Sequence, residues 1–375
     1  MLVWTKLRLR GLGHLKVKVV TVIPLVLICA CTTRSPVATP AVTDLISPSI
    51  AHAQLSGTPG GSGDALSGQT KEIAAAITKS ISKPASGRAL RSAADEAVAQ
   101  RAGNADATFD ASVICPIAQV PYSTPAVESE QPSPGRTDCF FGSADGGLKV
   151  ALIGDAGAAM FKPTLARIAD ANARLSIRYM IDPLCFNTRD EELVFGQSST
   201  FQGADSRTVI ARCTDFHTRV TTALRAYKPR LVLLSSLYRG LQNDAFGNLK
   251  VGSRDFLKEL QEASPNSTFV VVLPTPQVPD SGSCLNADLS NPSDCSAPIN
   301  KALSVANKIV QIGVPKGMHM LNLTPLFCAD SVCPGVVGED LTTIDGFVLK
   351  ASYARTIAAA FAEIVRTQTG IRLDR

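Results

Sequence analysis

The stretch Leu148–Met160, LKVALIGDAGAAM, constrains the fold of this chain more than any other. Four apolar residues, Val150 to Ile153, end abruptly in Gly154-Asp155, and a helix-forming run starts at once. A short apolar run, a glycine turn and a helix make the opening of an α/β unit, in which a buried strand feeds the first helix. The turn of such a unit lies at the carboxyl end of the sheet, where open α/β folds bind their ligands. Many hydrolases set a nucleophilic serine at this bend, beside backbone N–H groups at the helix start. Ala156 occupies that place here, so the frame of an active site is present without its nucleophile.

The pattern then repeats. Strands are expected at Leu148–Ile153, Leu175–Ile181, Arg230–Ser235, Thr268–Leu273 and His319–Leu323. Between and after them, helices are expected near Ala158–Ala171, Ser206–Tyr227, Ser253–Ala263, Ala297–Ile312 and Lys350–Arg366. Hydrophobicity is continuous along each strand, which requires cover on both faces of the sheet. The fold class is therefore α/β, with a doubly wound parallel sheet.

Composition divides the chain. Residues 32–110 are dominated by Ala, Ser, Thr, Gly and Pro, whereas residues 111–375 carry nearly all the aromatics, Cys and β-branched runs. The first segment reads as a flexible tether with two weak Ala-rich helices, Lys71–Ser82 and Arg88–Ala102. Ile73, Ile77 and Ile81 give the first of these a narrow apolar stripe. A helix packed loosely or not at all is the expectation, with a partner-binding helix as the alternative. The folded domain is assigned to 111–375.

Residues 1–31 read as a secretory signal. Lys6, Arg8, Arg10, Lys16 and Lys18 account for the whole net charge of +5, so nothing basic remains to argue for nucleic acid. The apolar run Val19–Ala30 is short for a bilayer span of ~20 residues and is interrupted by Pro24. It ends in Ile28-Cys29-Ala30-Cys31, which resembles a bacterial lipobox with Cys31 as the lipidated residue. Lipidation, ordinary cleavage and a retained anchor all export the chain. The expected location is the cell envelope, with the membrane reached through this terminus.

Eight cysteines follow the signal, an even number suited to disulfides in an oxidising compartment. Pairing by sequence neighbours gives Cys115–Cys139, Cys185–Cys213, Cys284–Cys295 and Cys328–Cys333, one arrangement among many. A metal site is not expected, since there is no C-x2-C pair and only His217 and His319 lie in the domain. His217 reads as a half-exposed helical residue and His319 as a structural one near the sheet edge. No cofactor is expected.

Asp345, in TTIDGFVLKASYART, precedes the last helix. An Asp three residues before a His here would complete a Ser-His-Asp arrangement, but the third residue on is Val348. Both ends of the domain resemble one family. GDAGAAM is similar to the Gly-Asp-Ser-His-Ala-Ala block of SGNH hydrolases, and DGFVLKASYART to their closing Asp-x-x-His-Leu-Thr block. DCFFGSADGGLKVALIGD and LNLTPLFCADSVCPGVVG resemble the Cys-bearing segments of one subtype. That subtype is the SGNH domain fused behind membrane-bound acyltransferase family 3 domains in bacteria. The resemblance covers about residues 110–368.

It implies a flavodoxin-like fold and acyl-group chemistry on envelope polysaccharides. It also places Ala156 at the nucleophile, Gly157 at the following His and Val348 at the general base. Alanine has no lone pair to attack a carbonyl and valine cannot accept a proton. The family's oxyanion Gly and Asn are not found; Ser235-Ser236-Leu237-Tyr238 follows the third strand, with no Asn until Asn243. The degenerate site retains Gly154, Asp155 and Asp345, with Ser235 and Ser236 facing the same crevice by topology. Asp155 reads as a turn-stabilising acceptor. The expected function is a non-catalytic domain that binds envelope glycan or assists an acyltransferase family 3 membrane protein. The alternative is an active acyl esterase or O-acetyltransferase using other residues, with Ser235 or Ser236 as a replacement nucleophile.

Overall fold

The computed structural model describes residues 68–82, 140–143, 146–182, 184–188, 206–238, 245–279 and 292–374. The signal with Cys31, most of the tether, the helix expected at Arg88–Ala102, and Cys115, Cys139 and Cys284 lie outside them.

In chain order, the larger elements are α1 (Gly68–Ser82), β1 (Phe140–Gly142), β2 (Leu148–Gly154), α2 (Ala156–Ala159), α3 (Lys162–Ala171) and β3 (Leu175–Ile181). They continue with α4 (Ser206–Tyr227), β4 (Leu231–Ser235), α5 (Ala245–Ala263) and β5 (Thr268–Val272). After β5 come β6 (Ala297–Pro298), α6 (Ile299–Ala302), α7 (Ser304–Ile312) and β7 (Met318–Leu321). Short strands β8 (Val332–Cys333), β9 (Val336–Val337) and β10 (Asp340–Leu341) precede α8 (Ala351–Thr356) and α9 (Ala358–Thr369).

The main sheet runs β1-β3-β2-β4-β5-β7. Its last five strands are parallel and give the flavodoxin-like order 2-1-3-4-5, while β1 pairs antiparallel with β3 at the edge. Each expected strand is present to within two residues. Alternation along them feeds two separate cores. Val150 and Leu152 of β2, Leu231 and Leu233 of β4, and Val270 and Val272 of β5 face one. Ala151, Ile153, Val232, Leu234, Phe269 and Val271 face the other. A strand apolar on both sides can only be a central strand of a covered sheet, which is why the run Val150–Ile153 was so informative.

The expected helices exist but three are broken. The first divides around Met160-Phe161, because Pro163 starts a new helix in its first turn. The fourth divides at Leu303, and the last at Ile357.

The helix expected in the tether is corrected. It does not pack loosely: Ile77 is fully buried in the first core, and Ile73 and Ile81 pack against it. The Thr70 N–H and Oγ1–H both donate to Glu363 Oε2 on α9, at 3.1 and 3.0 Å, and Ser80 Oγ accepts from the Gly338 N–H at 2.8 Å. The isoleucine stripe thus meets its own domain. Among the described residues no helix is long and apolar enough to cross a membrane.

Two disulfides lie within the described residues, Cys185–Cys213 and Cys328–Cys333. Both follow the neighbour pairing. Cys295 is also disulfide-bonded.

Candidate functional site

The order 2-1-3-4-5 reverses between β2 and β4, so the switch point lies at the carboxyl ends of these two strands. Gly154, Asp155, Ser235 and Ser236 come together there. The last register pair of β2 and β4 is Gly154 with Ser235. Gly154 has φ +145°, and a Cβ on it would stand 1.8 Å from the Ser235 carbonyl oxygen. No other residue fits.

Asp155 caps α2. It is 1% exposed; its Oδ1 accepts from the Gly157 N–H at 2.7 Å and from the Leu237 N–H at 2.9 Å. The turn-stabilising role read from sequence therefore includes a second partner across the switch point. Burial pushes the Asp155 carboxyl up to about 7, with the charge of Asp182 adding to the effect and the backbone donors opposing it. Asp182 ends β3, fully buried, and accepts from Arg212 Nε at 2.7 Å and from the Leu184 N–H at 3.1 Å.

The residues at the positions of nucleophile, histidine and base are all apolar or bare. Ala156 and Val348 are half-buried and pack against the same core. Gly157 has no space for a side chain: a Cβ would meet the Leu237 nitrogen at 2.4 Å and the Ser236 carbonyl carbon at 2.6 Å. The backbone of Ser236-Leu237 occupies that volume. Asp345 stays in its own turn before α8, where Oδ1 accepts from the Phe347 and Val348 N–H groups at 3.0 and 2.7 Å.

Ser235 and Ser236 are each 1% exposed. Ser236 Oγ accepts from Asn187 Nδ2 at 3.0 Å, and Ser235 Oγ has no hydrogen-bond partner. His217 is corrected from half-exposed to fully buried; its Nε2 lies 2.9 Å from the Phe186 carbonyl oxygen and its ring packs on Phe256. His319 is exposed on the edge strand β7. Neither imidazole is hydrogen-bonded to a serine at the switch point.

Sequence reasoning missed Asn187, Asp182, Leu237 and Tyr238. Asn187 also donates to the Ser235 carbonyl at 3.3 Å, so it bridges the loop after β3 to the end of β4. Its place two residues after Cys185, a cysteine bound to α4, was the available signal. Tyr238 adopts φ +52°, stacks on Phe186 with ring centroids 6.2 Å apart, and has its hydroxyl titration raised by burial and then by Asp155. Another unforeseen cluster fastens α8 to β10. Lys350 Nζ, buried, lies 2.8 Å from Asp340 Oδ1 and 2.7 Å from Ser352 Oγ, which itself donates to Asp340 Oδ1 at 2.9 Å.

Among the described residues no group of three or more His, Cys, Asp or Glu side chains could hold a metal ion. At the switch point the described residues offer buried hydrogen-bonding groups around a carboxyl that is pushed up to about 7.

A family model, the SGNH domain (fused to AT3 domains), matches residues 123–364. No curated protein matches the chain. Among solved structures, the chain is similar to the periplasmic domain of a lipopolysaccharide acetyltransferase from Salmonella ser. Paratyphi A. That match has 17% identity and a TM-score of 0.40, over 60% of this chain and 84% of the other.

Proposed function

The chain belongs to the SGNH domain family, of the kind fused to AT3 domains, and from this membership we propose an exported, non-catalytic envelope protein. Its role is to bind envelope glycan or to assist an acyltransferase family 3 membrane protein, with the N-terminal segment, through Cys31 lipidation, holding it at the membrane. The observation that carries the reading is the replacement of both the nucleophile and the base, with Asp345 left behind. Ala156 and Val348 have become packing residues, and Gly157 is filled over by the Ser236-Leu237 backbone. Nucleophile and base act as a unit, so loss of either removes most of what the pair contributes. Asp155, Ser235 and Ser236 at the switch point are each 1% exposed, which supports the same reading.

The alternative, an active esterase with other residues, needs a serine with a base in reach. Ser235 Oγ is buried with no hydrogen-bond partner among the described residues, which supports the non-catalytic reading instead. The purified full chain is expected to show no saturable labelling by a fluorophosphonate probe and no aryl acetate hydrolysis above a denatured control. Labelling mapped to one serine overturns the reading. Ala156→Ser combined with Val348→His is expected to restore weak labelling, and either change alone almost none. The assisting role predicts that deleting the protein lowers O-acylation of envelope polysaccharide, and that the probe-inert chain restores it. Unchanged acylation in the deletion strain rejects that role.

A further inference from the structure

At the end of the sheet opposite the candidate site is a recess of about 290 Å³. Arg174, Arg230 and Arg372 line it, together with Gly147, Gly370 and Ile371. The three arginines come from different parts of the chain: the turn before β3, the residue before β4, and the tail after α9. All three are exposed, and none is ion-paired among the described residues. Among the described residues no carboxylate lines the recess. Three like charges around one cavity repel one another and leave a strongly positive potential within it.

The backbones that carry these side chains are fixed. The Arg230 N–H donates to the Lys149 carbonyl at 2.8 Å, and its own carbonyl accepts from the Thr268 N–H at 2.9 Å. Buried Asn172 fastens the other two: its Oδ1 accepts from the Arg174 N–H at 3.0 Å, and its Nδ2 donates to the Leu373 carbonyl at 3.0 Å. Ile371 and Leu373 are buried on either side of Arg372 and anchor the tail. Gly147 leaves the Arg174 guanidinium uncovered, with Nη2 3.9 Å from where a Cβ would stand. Gly370, at φ +72°, has nothing within 4 Å of its missing side chain. The backbones that project the three cations are thus held in place before any ligand arrives, while the exposed guanidinium groups are ordered on binding.

Guanidinium forks match oxyanions. A planar carboxylate presents two oxygens and is satisfied by one or two forks. A tetrahedral phosphoryl group presents three or more, and cations on three sides of a recess suit it better. The volume holds roughly ten waters, enough for a phosphoryl group with a small polar substituent and too little for a folded macromolecule. We propose that this recess is a binding site for a phosphoryl group, carried by a small soluble molecule or by an anionic lipid headgroup. It lies at the amino ends of β2, β3 and β4 and shares no residue with the switch point, so it stands independently of the proposed function.

The test is calorimetric titration of the purified full chain with inorganic phosphate, at an ionic strength held constant with chloride. Saturable binding with a dissociation constant on the order of millimolar is expected, and Arg174→Gln, Arg230→Gln and Arg372→Gln should each weaken it by about fivefold or more. Lys301→Gln removes one exposed positive charge elsewhere and should leave binding unchanged. Circular dichroism checks that each variant is folded. Arg→Lys at the same positions keeps the charge without the fork and should recover part of the affinity. Retention on phosphatidylglycerol nanodiscs but not phosphatidylcholine ones, lost in the arginine variants, supports the recess and assigns a headgroup. Phosphate binding without such retention supports it and assigns a soluble ligand. Absence of saturable binding in both arms overturns the proposal, as do arginine variants that bind like the parent or no worse than Lys301→Gln.

Discussion

Asp155 shows how one residue can keep its place in a site while its chemistry changes. It sits where the strand turns into the helix, but both backbone donors in reach, Gly157 and Leu237, are tied to it. Its carboxyl is pushed up to about 7 by burial, so the folded state holds a proton that the unfolded chain releases near pH 4. Stability from this group is complete below pH 4 and is lost as pH rises toward 7, after which its contribution is flat. The whole effect is on the order of 4 kcal/mol. In Asp155→Asn the group no longer titrates. Denaturant unfolding of both proteins from pH 4 to 8 should show the parent losing stability relative to the variant between pH 4 and 7. Parallel profiles would show that the carboxyl is not proton-linked to folding. Sequence reached this residue because Gly154-Asp155 ends an apolar run. It did not reach Asn187, Asp182 or Leu237, because their contacts with the turn span separations that no local pattern records. Nor did it foresee that Gly157 marks a close approach by the backbone at 236–237 rather than an emptied catalytic position.

At the scale of elements, legibility followed burial. β2, β4 and β5 stood out because their apolar runs face a core on both sides, and a run such as Leu231–Leu234 has no other place to go, whereas β3 carries Ser176 and Arg178 on one face and β7 exposes His319. β1 did not stand out. It has three residues, ends in glycine, and is fixed mainly by pairing with β3 and by Phe141 against Tyr179, with ring centroids 4.6 Å apart and planes at 84°. α1 was misjudged for a related reason. Three isoleucines at four-residue spacing make a stripe too narrow to support a helix alone, and its receptor lies nearly 300 residues away on α9. The helix is stable because it docks, with Ile77 as the buried anchor. Ile77→Ala should therefore destabilise the whole domain by about 2–4 kcal/mol, as removal of a buried isoleucine does. Thermal or denaturant unfolding measures this directly. A change below about 0.5 kcal/mol, typical of a surface substitution, would return the helix to the tether.

Across the whole molecule the two ends of the sheet are built differently. At the amino end, short turns such as Asn172–Arg174 and Ser264–Ser267 are closed by their own backbone hydrogen bonds. At the carboxyl end β2 turns into α2 at once, but the connections after β3 and β5 are long, and the described residues there include a disulfide. Cys185–Cys213 ties the loop after β3 to α4, next to Asn187 and Asp182 at the switch point. Cys328–Cys333 closes the loop before β8. The neighbour pairing succeeded for both because each bridge closes a local excursion of the chain. Loop entropy gives them unequal weight: a separation of 28 residues is worth about 3.5 kcal/mol, and one of 5 residues about 2 kcal/mol. Both bridges are buried in a core, so alanine would leave a void at either and loop length decides between them. Cys185→Ala/Cys213→Ala should thus cost more stability than Cys328→Ala/Cys333→Ala by about 1.5 kcal/mol, measured by denaturant unfolding under oxidising conditions. It should also loosen the switch point, since Asn187 and Asp182 are positioned by that loop. Hydrogen exchange at Leu237, whose N–H is held by Asp155, reports on this locally and should speed up in the first double variant but not in the second. Equal exchange at Leu237 in both would mean that the bridge stabilises the fold without shaping the site.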